Sequence, residues 1–486
     1  MATTYARRGK TTVVATAIAT LLISGAPTAE VEPPLHRAVA AGNVPLVRQL
    51  LRAGADVNHP TMYGVTPIAL AVMEGSPAVV DALLQAGANP NTANDDGETV
   101  LMSAAAAGHL PVVELLLSRG ANPNTRDTWR GQTALTRAAG ENHAAVVTAL
   151  VRGGADPNAT DDLLEFWQMV PSEQATPKIV MPKGGMAVLH YAARQGSLDA
   201  VRALTAAPGI DLNKADPDGV NALLYATLNG HFDVAGHLLE AGADPNKADN
   251  YGRTLLFAAI EMSRPDREPR PVPQTSDRTT PLALARLALV KGADANPRIT
   301  GRIPNRCPLG CVAPASEGAT PLWRAARTGD ADAVRLLLEA GSDVRAAAGD
   351  GSTPMMMAAG VGWRDDRVLA TEDESIAVIK QLLAAGAAIN DTTKNGDTAL
   401  HGAAGRGSEP VIRFLVASGA DLQAQDTSNR TPLDVAMGRG SKVRTGGGAA
   451  TDPVVRDGAV RVLNELMGNT TSGNTTSAST TSTAAQ

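Results

Sequence analysis

A string of the form Gly-Ala-Asp/Asn-x-Asn recurs along the chain: GADVN at 54–58, GANPN at 87–91 and 120–124, GADPN at 154–158 and 242–246, and GADAN at 292–296. Looser copies stand at 208–213 (PGIDLN), 341–345 (GSDVR), 386–390 (GAAIN) and 419–423 (GADLQ), which makes ten. A second string precedes each: PPLHRA at 33, TPIALA at 66, TVLMSA at 99, TALTRA at 133, AVLHYA at 187, NALLYA at 221, TLLFAA at 254, TPLWRA at 320, TPMMMA at 353, TALHGA at 398 and TPLDVA at 431. Most of these eleven openings lie 33 or 34 residues apart. A fixed period of this length means stacked copies of one supersecondary unit. Each layer is too thin to stand alone. Ordering 33 residues costs on the order of 50 kcal/mol at about 1.5 kcal/mol per residue, so neighbouring layers must supply the missing burial.

The residues of the unit dictate a helix pair. Thr at the opening caps a first helix, and a following Pro sits where its missing N–H costs nothing. Ala pairs such as those in 104–107 let helices approach closely, which suits a chain with only 3% aromatic residues. Gly108 then breaks the helix, and PVVELLLS at 111–118 supplies the apolar face of a second. The Gly of the GADxN string stops that helix, because glycine takes the left-handed backbone without strain. A polar turn such as TANDDG at 92–97 leads to the next opening.

These strings closely resemble the ankyrin repeat over about residues 33–467. The resemblance implies an all-α solenoid of about eleven helix-turn-helix units, with β-turn fingers projecting from one end. It also implies a framework that binds protein partners rather than one that performs chemistry. The chain departs from the pattern at its ends, where Pro33 replaces the opening Thr and the last unit lacks a GADxN string. There the second helix is expected at Pro453–Met467, beyond the Gly-rich stretch 445–450. Residues 468–486 are a Ser/Thr-rich tail, expected to be disordered.

Five insertions interrupt the period, near 160–186, 263–279, 297–318, 361–375 and 440–453. None exceeds about 30 residues, too few to bury the core of a catalytic domain. The first contains LLEFWQMV at 163–170. Two readings stand: a short helix folded back over the stack, or an anchor for a partner that uses Phe166 and Trp167. The insertion at 297–318 holds both cysteines, Cys307 and Cys311. A disulfide is favoured in an exported chain, free thiols are the alternative, and a metal would need two further ligands.

Arg7, Arg8 and Lys10 precede the apolar run TTVVATAIATLLI at 11–23, the pattern of a secretory signal over residues 1–29 and hence of a periplasmic or secreted protein, with a cytoplasmic adaptor as the alternative where the run is not cleaved. Lys+Arg 43 against Asp+Glu 49 gives a net charge of −6 with no long basic run, which argues against nucleic acid. Of eight histidines, the resemblance assigns six to architecture: His36, His190 and His401 in the openings, and His109, His143 and His231 at the breaks. His59 and His237 lack partners at ligand spacing. No nucleophile elbow, HExxH or dinucleotide glycine motif appears, so no catalytic residue, cofactor or metal site is assigned.

Recognition is therefore expected at the turn tips before each finger glycine, at Met62-Tyr63, Asp95-Asp96, Trp129-Arg130, Asp218, Asn250-Tyr251, Asp350 and Asn395. Three tips carry aromatics in a chain with thirteen in all. Either each ring lies across its neighbouring finger, or Tyr63, Trp129, Arg130 and Tyr251 form a binding edge interleaved with Asp95, Asp96, Asp127, Asp216 and Asp249. Such an edge suits a basic or mixed polar protein surface. A small-molecule or glycan site built from the insertions at 160–186 and 297–318 is the alternative.

Overall fold

A computed structural model describes residues 33–167, 180–264, 277–301, 317–362, 370–439 and 455–468. Among them, 22 helices form eleven pairs in two compact units. The first unit, ending at Trp129, holds three pairs: Pro34–Ala40 with Val44–Arg52, Pro67–Met73 with Pro77–Gln85, and Val100–Ala107 with Leu110–Ser118. First helices pack on first helices and second on second. The second unit repeats this plan eight times, from Ala134–Gly140 with Ala144–Arg152 to Pro432–Ala436 with Asp457–Leu466. The mostly helical repeat architecture implied by the sequence is thus present.

The opening threonines act as expected. Thr66, Thr99, Thr133, Thr254, Thr320, Thr353, Thr398 and Thr431 each accept the amide three residues on, at the first turn of the helix they cap. Ala104, Ala105, Ala192, Ala193, Ala325, Ala326, Ala403 and Ala404 are fully buried, which sets the close approach of consecutive first helices. The glycine after each second helix takes the left-handed conformation, as at Gly54 (φ 89°) and Gly386 (φ 94°).

The last Asn of each GADxN string joins layers. Asn246 accepts the Asp294 amide at 2.7 Å, and its Nδ2 donates to the Gly292 carbonyl at 2.9 Å. Asn91, Asn158, Asn296 and Asn390 make the same pair of bonds to the next string. The Asp two residues earlier holds the Asn in place, as Asp244 accepts the Asn246 amide at 2.8 Å. In GSDVR the Asn is replaced by Arg345, and the rung becomes an ion pair to Asp391 at 3.1 Å.

Three long connections separate a first helix from its second, between Ser263 and Pro281, Ala359 and Glu372, and Ala436 and Asp457. The final helix starts at Asp457, four residues later than the sequence pattern suggests. The run at 163–170 corrects an expectation where it is described: the backbone of 164–167 forms a strand and not a helix. β1 (Leu164–Trp167) pairs antiparallel with β2 (Val180–Lys183), Leu164 opposite Lys183 and Trp167 opposite Val180. Its branched and aromatic residues favour an extended backbone over a helical one.

At the base of the 297–318 insertion, Ile299 is buried with Phe257, Ala319, Trp323, Ala348 and Met357. The Ile299 amide donates to Ala319, and the Gly318 amide donates back to Ile299. Cys307 and Cys311, the candidate signal at 1–29 and the tail at 469–486 lie outside the described residues.

Candidate partner-binding surface

Most of the described fingers are tight turns held by one short polar side chain. Asp249 Oδ1 accepts the amides of Tyr251 and Arg253, both at 2.9 Å, while Oδ2 pairs with the Arg253 guanidinium. Asp216 does the same for Asp218 and Val220, Asp426 for Ser428 and Arg430, and Asn94 for Asp96 and Glu98. Thr61 and Thr393 do it with hydroxyls. Burial separates the most enclosed of the stapling acids from the tip acids. Asp127 and Asp249 are 4% and 5% exposed, whereas Asp95 and Asp96 are open to solvent.

Asp127, Asp216 and Asp249 therefore do not belong to an acidic binding edge. Their carboxylates are consumed in holding the turns: Asp127 accepts the Trp129 amide, and Asp216 also accepts the Tyr225 hydroxyl at 2.6 Å. Desolvating them for a partner would break the finger. Asp95 and Asp96 keep free carboxylates, with no ion pair to any described residue.

The tip aromatics divide in the same way. Tyr63 is 76% exposed and Trp129 68%, both on the first unit, and Met62 beside Tyr63 is 72% exposed. Tyr251, on the second unit, is half-buried against the neighbouring turn: its carbonyl accepts the Thr300 amide at 2.8 Å, and its ring lies beside Gly301. Arg130 is exposed, with its carbonyl bonded to the Asp162 amide. Phe166 and Trp167 contribute backbone to β1. Leu163, at the start of the run singled out in the sequence, is 62% exposed, and Val290, which the sequence reading did not single out, is 77% exposed. Val290 ends a second helix just before GADAN, a position whose counterparts elsewhere are polar (Arg52, Gln85, Ser118, Arg152, Glu240, Glu339) or small (Ala384, Ala417). That contrast is the signal that marks it.

The histidines are architectural where the sequence places them so. His36, His190 and His401 each send Nε2 to a carbonyl of the following finger, Val65 at 3.0 Å, Lys214 at 2.7 Å and Arg430 at 3.0 Å. His401 Nδ1 meets the Thr398 hydroxyl, and His190 Nδ1 accepts the Ala187 amide where that hydroxyl is missing. Burial lowers the His190 pKa, so the ring stays neutral in this role. In TPLWRA the indole of Trp323 takes over, donating to Ser352 Oγ at 3.0 Å across the same 29 residues that separate His36 from Val65. His109 and His231 pack on Gly75 and Gly196 of the preceding layer, where a Cβ would meet the rings at 2.6 and 2.5 Å. His237 bonds Thr205 at 2.9 Å, and burial lowers its pKa.

One polar cluster outside the tips draws notice. Asp161, 8% exposed, accepts the Tyr191 hydroxyl and the Met186 amide, both at 2.6 Å, and Gln132 donates to the Tyr191 oxygen. Burial, with the Asp161 bond, pushes the Tyr191 phenol up to about 12. Each oxygen already has a partner, so the cluster fixes the 160–186 insertion to its base. Among the described residues no three or more His, Cys, Asp or Glu side chains are grouped to hold a metal. None of the described helices is long and apolar enough to cross a membrane.

A family model of ankyrin repeats in three copies matches residues 13–94, 82–161, 173–249, 189–266 and 368–444, and a single ankyrin repeat matches 317–348. The chain belongs to the ankyrin repeat family. Among curated proteins, this ankyrin chain is similar to the B-cell lymphoma 3 protein homolog of Mus musculus, 29% identical over 182 residues, 37% of this chain and 32% of that protein. It also resembles palmitoyltransferase akr1 of Schizosaccharomyces pombe, 44% identical over 61 residues, 13% of this chain and 10% of that protein. Transient receptor potential cation channel subfamily A member 1 of Homo sapiens is 24% identical over 205 residues, 42% of this chain and 15% of that protein. The chain thus spans a third or less of each curated relative. Among solved structures, the ankyrin repeat domain of Bcl-3 aligns at 26% identity with a TM-score of 0.40, covering 47% of this chain and 95% of that domain.

Proposed function

We propose that this ankyrin repeat protein is a non-enzymatic scaffold that holds a protein partner, and that the finger tips of its first unit contribute the contact. The observation that carries this reading is the exposure of Tyr63 and Trp129 on turns whose backbones are internally stapled. Rigid, exposed aromatic rings lose little entropy when a partner covers them. Arg130, Tyr251, Phe166 and Trp167 are secondary candidates on the second unit. The test is a pull-down from the native compartment with Tyr63→Ala and Trp129→Ala combined. Loss of the wild-type partners with an unchanged circular dichroism spectrum supports the reading, and their retention rejects it.

The same proposal places the protein in the periplasm or outside the cell, on the strength of Arg7, Arg8 and Lys10 before the apolar run 11–23. The first family match begins at residue 13, inside that run, which favours a second reading: a cytoplasmic adaptor whose N-terminal run is not cleaved. A reporter active only after export, fused after residue 35, separates them. Activity supports the exported scaffold, and inactivity supports the cytoplasmic adaptor.

A further inference from the structure

We propose that the space between the first and second fingers, with the tip of the third, receives an extended peptide segment carrying a lysine or arginine. This deepens the scaffold reading above and rests on it.

Several other fingers are joined tip to tip by one main-chain bond, although Pro217 has no amide to give one. The Thr128 amide donates to the Asp96 carbonyl at 2.9 Å, and Asn250 to Asp218, Lys394 to Asp350 and Thr427 to Asn395 at 2.8–3.0 Å. The equivalent rung between the first two fingers would run from the Asp95 amide to the Tyr63 carbonyl, and it is not made. The finger glycines report the same opening. A Cβ on Gly97, Gly219, Gly351 or Gly396 would meet the next finger at 3.0, 2.7, 2.8 and 2.8 Å, but one on Gly64 would meet nothing within 4 Å. The first finger stands off from the second and leaves a main-chain donor and acceptor facing an open space.

The side chains around that space specify the occupant. Met62, Tyr63 and Trp129 are among the largest exposed apolar groups of the described residues. Between them lie Asp95 and Asp96, whose carboxylates have no cationic partner. The exposed Tyr63 ring beside two free carboxylates favours a cation, through the ring face as well as the charges. The same carboxylates repel a phosphate or an acidic peptide, and the net charge of −6 steers cations toward the chain. Adjacent layers lie about 10 Å apart, so Tyr63 and Trp129, two layers apart, are spanned by about six extended residues at about 3.3 Å each.

The test uses the purified full chain on an array of immobilised heptapeptides, identical except for Lys, Arg, Gln or Glu at the centre of Val- and Leu-containing flanks. Lys and Arg peptides should retain the chain about tenfold more than Glu peptides, since each exposed ion pair is worth about two- to fivefold. Combined Asp95→Asn and Asp96→Asn should reduce that preference below about twofold at an unchanged thermal midpoint, because neither carboxylate supports the fold. An N-methyl group on the central residue, which removes the main-chain donor, should weaken retention several-fold. Equal retention of all peptides, a preference for Glu, or a preference that survives the double substitution overturns the proposal. If the array shows no charge preference while Tyr63→Ala with Trp129→Ala still abolishes the native pull-down, the cationic segment is refuted and the scaffold reading stands. If the array preference holds but the pull-down is unaffected, the peptide site stands and the scaffold reading falls.

Discussion

Replacing Asp249 by Ala tests whether finger acids are structural staples. The carboxylate accepts the Tyr251 and Arg253 amides at 2.9 Å and pairs with the Arg253 guanidinium at 3.1 Å, with its side chain fully buried. Hydrogen bonds to a charged group are worth about 1.5–3 kcal/mol each, and bonds sharing one acceptor group do not add fully. A local loss of about 3 kcal/mol follows for Asp249→Ala. Asp249→Asn keeps the Oδ1 acceptor and presents an amide to the guanidinium, so about half that loss is expected. A global melt does not localise the opening to one finger, because long repeat arrays do not unfold in two states. Hydrogen exchange resolved to the 249–254 segment reads the opening of the finger directly, and about 3 kcal/mol corresponds to about a hundredfold faster exchange. Asp95→Ala, at a tip, should leave exchange in 94–98 unchanged. Equal opening by the two alanine variants, or no opening by Asp249→Ala, would refute the division into staples and tips.

Three further outcomes follow from the same geometry. Gly396→Ala forces a Cβ to 2.8 Å from the Asp426 backbone at φ 80°, whereas Gly64→Ala at φ 76° meets nothing, so thermal shift should fall clearly more for the former, the latter costing only the left-handed strain of about 1–2 kcal/mol. Asn246→Ala removes two exposed interlayer bonds and should cost about 1–2 kcal/mol, read as lost exchange protection at the Asp294 amide. The Arg264 guanidinium and the Thr371 amide hold Glu374 down to about 2 from an ordinary 4.5. A depressed acid contributes stability that is present above about pH 4.5 and lost as pH falls toward 2. The advantage of wild type over Glu374→Gln in urea midpoint should shrink through that window, by a modest amount because both partners are solvent-screened.

Much of the fold was legible because the repeat reports its own constraints. The Thr caps, the Ala pairs and the glycines each have one physical use, and His401 bonds Thr398 as the opening string implies. The acids were not legible at the same level, since Asp249 and Asp95 are one residue type in one kind of turn. Spacing does separate them: Thr61, Asn94, Asp216, Asp249 and Thr393 stand three residues before the left-handed glycine, and Asp426 three before left-handed Asn429, where an oxygen reaches the amides two and four residues on. Tyr63 and Tyr251 likewise occupy equivalent tips, and only the neighbouring turn, lengthened at 298–301, decides that one ring is covered. The region at 163–170 was ambiguous because a short apolar run does not declare its period.

The substitution in GSDVR changes the kind of joint at one layer. Elsewhere uncharged carboxamides latch consecutive turns, and such latches are indifferent to electrolyte. Arg345 and Asp391 instead meet as opposite ions, 58% and 28% exposed, so mobile counterions compete for them. A brine that leaves the carboxamide latches intact should loosen this one.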